Sequence, residues 1–180
     1  MVDLSLHILD VATNAFKANA TIVKVKIIEK QDYIDVLIED DGCGMSDEIK
    51  SQVTNPFYTT RTTRKVGLGI PLFKQTCEQT GGIFEIDSTV GVGTIFHARM
   101  NTNHIDAIPL GDIAESIFVL IINPYDVDVI CEVTSDQMDE PFIINTKELK
   151  EVLDGVPLME PSVSAWIKEY INTNLKISII

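Results

Sequence analysis

The sequence predicts an α/β (α+β) fold, in which amphipathic helices alternate with pairs of β-strands. Three patterns indicate it: helical spacing of apolar residues over residues 4–18, two alternating segments within residues 23–39, and a glycine-bounded helix followed by a second alternating pair within residues 67–98. With 180 residues and 45% hydrophobic content, the chain is long and apolar enough for a substantial core.

The first helix carries three polar residues on one stripe of its surface. Asp10, Asn14 and Lys17 follow one another at helical spacing, and Asp3 or Ser5 is expected to cap the helix start. A solvated helix face would show the same stripe. Because asparagine has a poor helix propensity, however, Asn14 in the helix interior indicates another use.

The second alternating segment ends at a carboxylate followed by two glycines. The strands within residues 23–39 form a predicted hairpin that delivers Asp40 to a turn with Gly42 and Gly44. Two glycines let a flat ligand approach the backbone, although a plain tight turn has the same composition. A short helix is predicted after the turn, over residues 46–53.

Positive charge collects before the next helix. Arg61 and Lys65 belong to the loop that precedes Gly67 and Gly69, which open a helix predicted to end near residue 80. The free backbone N–H groups and the positive dipole end of a helix favour anions. The segment is therefore a candidate anion site, although a lone Gly-x-Gly is more often a simple helix entry.

Two further strands close the first part of the chain. Residues 83–87 and 94–98 lie on either side of a glycine turn at Gly91 and Gly93, and Thr94 begins the second strand. On its own, this hairpin is more typical of a structural turn than of a binding site.

The second part, residues 102–180, contains no motif with a recognisable chemistry. Helical spacing from Leu110 to Ile121 favours a helix, although residues 117–122 alone would be typical of a buried strand. Trp166 and Tyr170 lie one turn apart, where packing is favoured over a docking patch. This part is expected to fold onto the first sheet or as a small α+β unit. Its other predicted elements are strands at 127–133 and 142–144 and helices at 146–153 and 161–171.

The chain is acidic, and the charge is uneven. The formal net charge is −13, of which residues 101–180 contribute −10. Such a surface repels nucleic acid and anionic lipid and suits a basic protein partner, although a solvated surface that aids solubility is the simpler interpretation. Three separated cysteines without a C-x-x-C pair indicate a reducing compartment and argue against disulfides or a zinc site. With no signal-like N-terminus and no long apolar segment, a cytoplasmic protein without nucleic-acid or membrane partners is expected.

Taken in order, five blocks resemble the ATP-binding domain of the GHKL superfamily, which includes histidine kinases, DNA gyrase B, Hsp90 and MutL. Five blocks in the right order are far more specific than any one of them. The resemblance covers residues 1–101 and implies the Bergerat fold, a two-layer sandwich of a mixed β-sheet with helices on one face. Residues 102–180 would be a small α+β extension. The blocks are Asp10 to Lys17, the D-x-G-x-G turn from Asp40 to Gly44, the aromatic Pro56 to Arg61, Gly67 to Ile70, and the G-x-G-T block from Gly91 to Thr94.

The resemblance implies ATP and Mg²⁺ as ligands and assigns the adenine to the strand end. Asp40 would accept a hydrogen bond from the adenine amino group, while Gly42 and Gly44 let the ring approach. Thr94 would reach the base directly or through a water molecule.

The same resemblance assigns the phosphates to the helix starts. Asn14 would supply an oxygen ligand to the magnesium ion that bridges the phosphates. The backbone of Gly67 and Gly69 would face the phosphates. The cations expected to neutralise their charge are Lys17, Arg61 and Lys65.

Two features depart from parts of the superfamily. ATP-hydrolysing relatives have a glutamate four residues before the asparagine, whereas this chain has Asp10, which either acts through a repositioned water or is a plain solvated residue. The lid, residues 62–66, is short and resembles the branch of histidine kinases and anti-sigma-factor kinases.

His7 lacks the context of a phosphorylated histidine, and no module bearing one precedes Asn14. A phosphoryl acceptor is therefore expected on another protein.

The sequence thus predicts a Mg-ATP-binding, histidine-kinase-like protein that transfers the γ-phosphoryl group to a partner protein. The alternative is a regulatory ATP- or ADP-binding module, or slow ATPase, that changes conformation to control a protein partner, and Asp10 in place of glutamate favours it. In both cases residues 102–180 are expected to meet the partner.

Overall fold

A six-stranded mixed sheet with helices on one face organises the computed structural model, which describes residues 3–55 and 69–177. The aromatic block, Arg61, Lys65 and Gly67 lie outside these residues. The strands are β1 (Ile22–Glu29), β2 (Tyr33–Asp40), β3 (Ile83–Thr89), β4 (Gly93–Asn101), β5 (Asp128–Thr134) and β6 (Phe142–Asn145). The helices are α1 (Leu4–Lys17), α2 (Asp47–Gln52), α3 (Gly69–Gln79), α4 (Ile113–Ile121), α5 (Thr146–Leu153) and α6 (Pro161–Asn174).

The strand order is β3-β4-β2-β1-β5-β6. β1 and β5 are parallel, and the other neighbouring pairs are antiparallel. The predicted α+β class, the mixed sheet and the hairpin of β1 with β2 are confirmed.

Alternation along the strands sorts the side chains into two faces. In β2, Ile34, Val36 and Ile38 are buried beneath the helices, whereas the residues between them lie on the more open face. Asp40 continues the buried series, so its carboxyl group belongs to the helix face at the end of the strand.

Helix α1 lies at the centre of the helical layer, in contact with both α3 and α4. Its start is capped by Asp3, whose carboxylate accepts a hydrogen bond from the Leu6 N–H at 3.0 Å. Ile8, Val11 and Ala12 are almost fully buried, as the helical spacing predicts. The other face of α1 is thereby free to carry the polar stripe.

The second part of the chain extends the first sheet. All seven residues of β5 pair in parallel register with β1, from Ile22 opposite Asp128 to Ile28 opposite Thr134. Residues 113–121 form a helix, as favoured from the spacing, and Asp112 caps it by accepting from the Glu115 N–H at 2.8 Å. Among the described residues, the helices are too short or too polar to cross a membrane.

Candidate functional site

The turn after β2 joins three separate parts of the first hundred residues. The Cys43 N–H donates to the carbonyl of Ala18, just past the end of α1, at 2.8 Å. The Cys43 carbonyl accepts from the Gly91 N–H, in the β3–β4 hairpin, also at 2.8 Å. The turn predicted to hold the base is therefore fixed between the asparagine-bearing helix and the closing hairpin.

Gly44 is required by this arrangement. Its φ of +63° lies in the left-handed region, and a Cβ atom placed there would be 2.0 Å from the carbonyl oxygen of Thr89. A side chain at this position would push the turn away from β3.

Asp40 occupies the edge of the core at the mouth of this turn. It pairs with Thr94 on β4, and its Oδ1 accepts a hydrogen bond from the Gly42 N–H at 2.9 Å. Burial raises the pKa of the Asp40 carboxyl, while hydrogen bonds from the Gly42 and Thr94 backbone oppose that rise. A partly desolvated carboxylate of this kind is a strong acceptor for an N–H donor.

Ser88 belongs to the same corner, and its part in the site was missed from the sequence. Its hydroxyl oxygen accepts from the Met45 N–H at 2.8 Å and donates to the Gly93 carbonyl at 3.0 Å. The same oxygen lies 2.9 Å from Oγ1 of Thr94. Because Ser88 has one hydroxyl proton, Thr94 donates to Ser88 and keeps its own lone pairs for an N–H or water donor.

A signal for Ser88 was present in the hairpin. A turn centred on Gly91 places Ser88 opposite Thr94, which is the pairing observed. Serine within a strand carries no signal of its own, so only the register identifies it.

The start of α3 meets the polar stripe of α1. A Cβ atom on Gly69 would lie 1.6 Å from Oδ2 of Asp10, so the carboxylate rests directly against the first residue of α3. Asn14 follows one turn later and is half-buried, and Lys17 is exposed in the last turn of α1. The structure thus places Gly69 beside the predicted catalytic position.

His7 is buried between the two helices. Its ring stacks on Phe73 with centroids 5.1 Å apart, and its Nε2 lies 3.4 Å from Oγ1 of Thr76. Burial lowers the pKa of His7 to about 4. Its Nδ1 is buried without a hydrogen-bond partner among the described residues. The ring therefore serves as a neutral packing element that couples α1 to α3.

A cavity of about 280 Å³ lies at the same end of the sheet, and its lining includes Asp40, Ser88 and Thr94. It also reaches Lys24, Glu39 and Ile95, which belong to the face that the helices leave uncovered. Alternation directs the Asp40 carboxyl to the helix face of this end of the sheet. We therefore assign the candidate nucleotide site to the helix side of β2.

Residues 2–104 match the family model described as "Histidine kinase-, DNA gyrase B-, and HSP90-like ATPase". The chain is 34% identical over 80 residues to the sensor kinase CckA of Brucella abortus, covering 44% of this chain and 8% of that protein. It is 33% identical over 78 residues to sporulation kinase E of Bacillus subtilis, covering 43% of this chain and 10% of that protein. The alignment thus spans about a tenth of these relatives.

A solved structure gives the same fold. The N-terminal domain of a DNA repair protein superposes with a TM-score of 0.53 at 14% identity, covering 80% of this chain and 52% of the other. Identity at this level shows a shared fold alone. The superposition reaches beyond the residues matched by the family model and so includes part of the second half of the chain.

Proposed function

The chain belongs to the histidine kinase-, DNA gyrase B- and HSP90-like ATPase family, and we propose that it binds Mg-ATP at the helix-covered end of β2 and transfers the γ-phosphoryl group to a partner protein. Membership of the family implies ATP binding. We further propose which residues bind the nucleotide, that a magnesium ion is bound with it, and that a protein accepts the phosphoryl group.

The observation that carries the proposal is the corner formed by Asp40, Ser88 and Thr94. The Asp40 carboxylate accepts from the adenine amino group, and the Thr94 hydroxyl accepts from the same group or from a bridging water. A Cβ atom on Gly42 would lie 2.8 Å from Oδ1 of Asp40, so glycine at this position leaves the carboxylate undisturbed. A purine ring is thereby recognised by a carboxylate that is already partly dehydrated.

The triphosphate then extends toward the start of α3. Backbone N–H groups at a helix N-terminus and the positive dipole end favour phosphate there. Lys17 adds a positive charge at the end of α1, and the sequence adds Arg61 and Lys65, outside the described residues. These cations offset the repulsion between the Asp10 carboxylate and the incoming phosphates.

The donor chemistry of this region fits magnesium. The amide oxygen of Asn14 is a hard ligand, and Mg²⁺ is usually held by one or two protein oxygens together with substrate phosphates and waters. Bound there, the ion would neutralise charge on the phosphates. Asn14 would hold it, with Asp10 one turn away on the same helix face.

In the transfer, a nucleophilic atom of the partner forms a bond to the γ-phosphorus as the bond to the β–γ bridging oxygen breaks, which releases ADP. In this proposal the Asp10 carboxylate takes the proton that the nucleophile loses. The similarity to sensor kinases supports a protein as the acceptor.

The test follows the γ-phosphate. The purified chain is incubated with Mg²⁺ and γ-labelled ATP, alone and with lysate of the host cell, beside Asn14→Ala as the blank. Label on a second protein, lost in the variant, is the expected result. Label that remains on intact ATP in both incubations would overturn the transfer while leaving nucleotide binding in place.

A second function is favoured by Asp10, which has a shorter reach than the glutamate of hydrolysing relatives. It is a regulatory module in which bound ATP or ADP sets the position of α3 through Gly69 and Asp10. Release of free phosphate above the Asn14→Ala blank would mark it as a slow ATPase. The absence of turnover together with tight ATP binding would mark it as a switch.

A further inference from the structure

An apolar groove lies at the β6 edge of the sheet, beyond β1 and β5, between β6, α5 and α6. It has a volume of about 420 Å³ and is called here the α5–α6 groove. Its walls include Ile143, Leu149, Val152, Trp166 and Tyr170. Val152 is 83% exposed and Ile143 is 54% exposed. Large exposed apolar side chains grouped in one groove are typical of a surface that binds another molecule.

One wall of the groove is a preformed aromatic pair. Trp166 and Tyr170 stack with centroids 5.5 Å apart, and Tyr170 contacts Phe142 at 5.9 Å. The packing interpretation of this pair expects buried rings, yet Trp166 is 50% exposed. Ile167 and Ile171 are the buried residues of α6 instead. Exposed Trp and Tyr held rigid in a pocket are typical of the residues that contribute most to protein binding.

The floor of the groove is a strand edge. Among the described residues, β6 pairs with β5 on one side and ends the sheet on the other. An edge strand presents backbone donors and acceptors to a segment that lies along it. Three β6 residues, Ile143, Ile144 and Asn145, line the groove, so this strand edge lies beside its apolar walls.

The charge around the groove selects the kind of segment. Glu148 lines it, and Glu151 and Glu169 are exposed on the same two helices. Lys150 and Lys168, on these helices, form ion pairs with Asp128 and Glu115, each at 2.7 Å. Lys147 is exposed on α5, so among the described residues of the two helices one lysine stands against these three glutamates. The remaining field is negative, in line with the −10 net charge of residues 101–180.

We propose that the α5–α6 groove binds a segment of another protein in which apolar residues are flanked by lysine or arginine. Charge complementarity brings the segment to the groove, and burial of its apolar residues against Val152 and Trp166 holds it there. A second copy of this chain is a poor occupant, because two molecules of net charge −13 repel each other. The proposal does not depend on the nucleotide site.

The chain contains a single tryptophan, so Trp166 fluorescence reports directly on the groove. The probe is a synthetic Trp-free peptide with central leucines and phenylalanines and lysines at both ends. It is compared with a peptide that has glutamates in place of the lysines and with one that has serines in place of the apolar residues. A saturable blue shift with the first peptide alone, weaker at high salt, is the expected result.

Two matched variants locate the binding. Val152→Ser is expected to lower the affinity for the lysine-flanked peptide about tenfold, because it removes an exposed valine from the groove without disturbing the hydrophobic core. Ile105→Ser, at a position that is 95% exposed in the turn after β4, is expected to leave the affinity unchanged.

The proposal is overturned if the lysine-flanked peptide leaves Trp166 emission unchanged, or if all three peptides shift it equally. Concentration-dependent dimers that Val152→Ser abolishes would also overturn it, because a second copy would then be the occupant. Asp40→Asn should bind the lysine-flanked peptide like the parent protein, because the groove does not depend on the nucleotide site.

Discussion

Asp40 is a carboxylate held where its negative charge is costly. Burial raises its pKa, so the folded protein binds the Asp40 proton more tightly than the unfolded chain does. The contribution of this group to stability is present at low pH and is lost as pH rises through the raised pKa. At neutral pH the protein therefore gives up some stability to keep an ionised acceptor for a ligand.

Asp40→Asn is expected to raise the unfolding free energy of the nucleotide-free protein at pH 7. Asparagine retains an oxygen that accepts from the Gly42 N–H but carries no charge to desolvate. Urea unfolding at pH 7, with Asp47→Asn as the control, measures this. The side chain of Asp47 is 95% exposed, so its replacement should change little. A less stable Asp40→Asn protein would contradict the account of Asp40.

His7 gives the opposite dependence on pH. Its pKa is lowered from 6.5 to about 4, so the unfolded chain binds the proton more tightly and stability falls as pH drops from 6.5 toward 4. The shift corresponds to about 3 kcal/mol at full protonation.

His7→Phe is expected to keep the ring contact with Phe73 and to remove this part of the acid destabilisation. Unfolding free energies at pH 7 and pH 4.5 should differ less in His7→Phe than in the parent protein. His104→Gln, in the exposed turn after β4, serves as the control. Equal losses of stability in all three proteins would show that His7 does not titrate as proposed.

At the scale of elements, local sequence signals were sufficient for most helices and strands. Asp3, one of the two predicted caps, caps α1, and α2 lies within the predicted range of 46–53 with Ser46 as its cap. The alternation within residues 23–39 gives the β1–β2 hairpin. The roles of Ser88 and His7 needed more than local pattern. Both depend on which element lies opposite, and that is set by strand register and helix packing.

Alanine substitutions at two glycines test the packing of the turn after β2. Gly44 and Gly91 both have positive φ, but a Cβ on Gly44 meets the Thr89 carbonyl, whereas one on Gly91 meets nothing within 4 Å. Gly91→Ala should cost about 1 kcal/mol from backbone strain alone. Gly44→Ala should cost about 3 kcal/mol and weaken ATP binding, since the backbone of β3 must move. Equal costs in chemical denaturation would contradict the proposed contact.

For the whole molecule, the sheet was harder to predict than its strands. The alternation at 127–133 predicts a strand but not its neighbour, because β1 and β5 are parallel and separated by about a hundred residues. The sequence left two arrangements open for the second part, and the structure places it on the first sheet. The division at residues 101 and 102 remains a prediction about function.

A fragment of residues 1–104 is expected not to fold cooperatively. Without the second part, β1 would lose its pairing with β5, and α1 would lose its contact with α4. Residues that are buried in the full chain, such as Val23 and Val25, would then be exposed. Thermal melting followed by circular dichroism, with and without ATP, measures this. A sharp melting transition at the temperature of the full chain would show that the second part is dispensable for folding.

Recognition of the ATP adenine by Asp40 is measured by calorimetric titration with Mg-ATP. The parent chain, Asp40→Asn and Asp47→Asn are compared under the same conditions. Because a hydrogen bond to a charged acceptor is lost, Asp40→Asn should bind Mg-ATP about a hundredfold more weakly, whereas Asp47→Asn should bind it like the parent. Equal affinity in all three proteins would show that the adenine does not bind at Asp40.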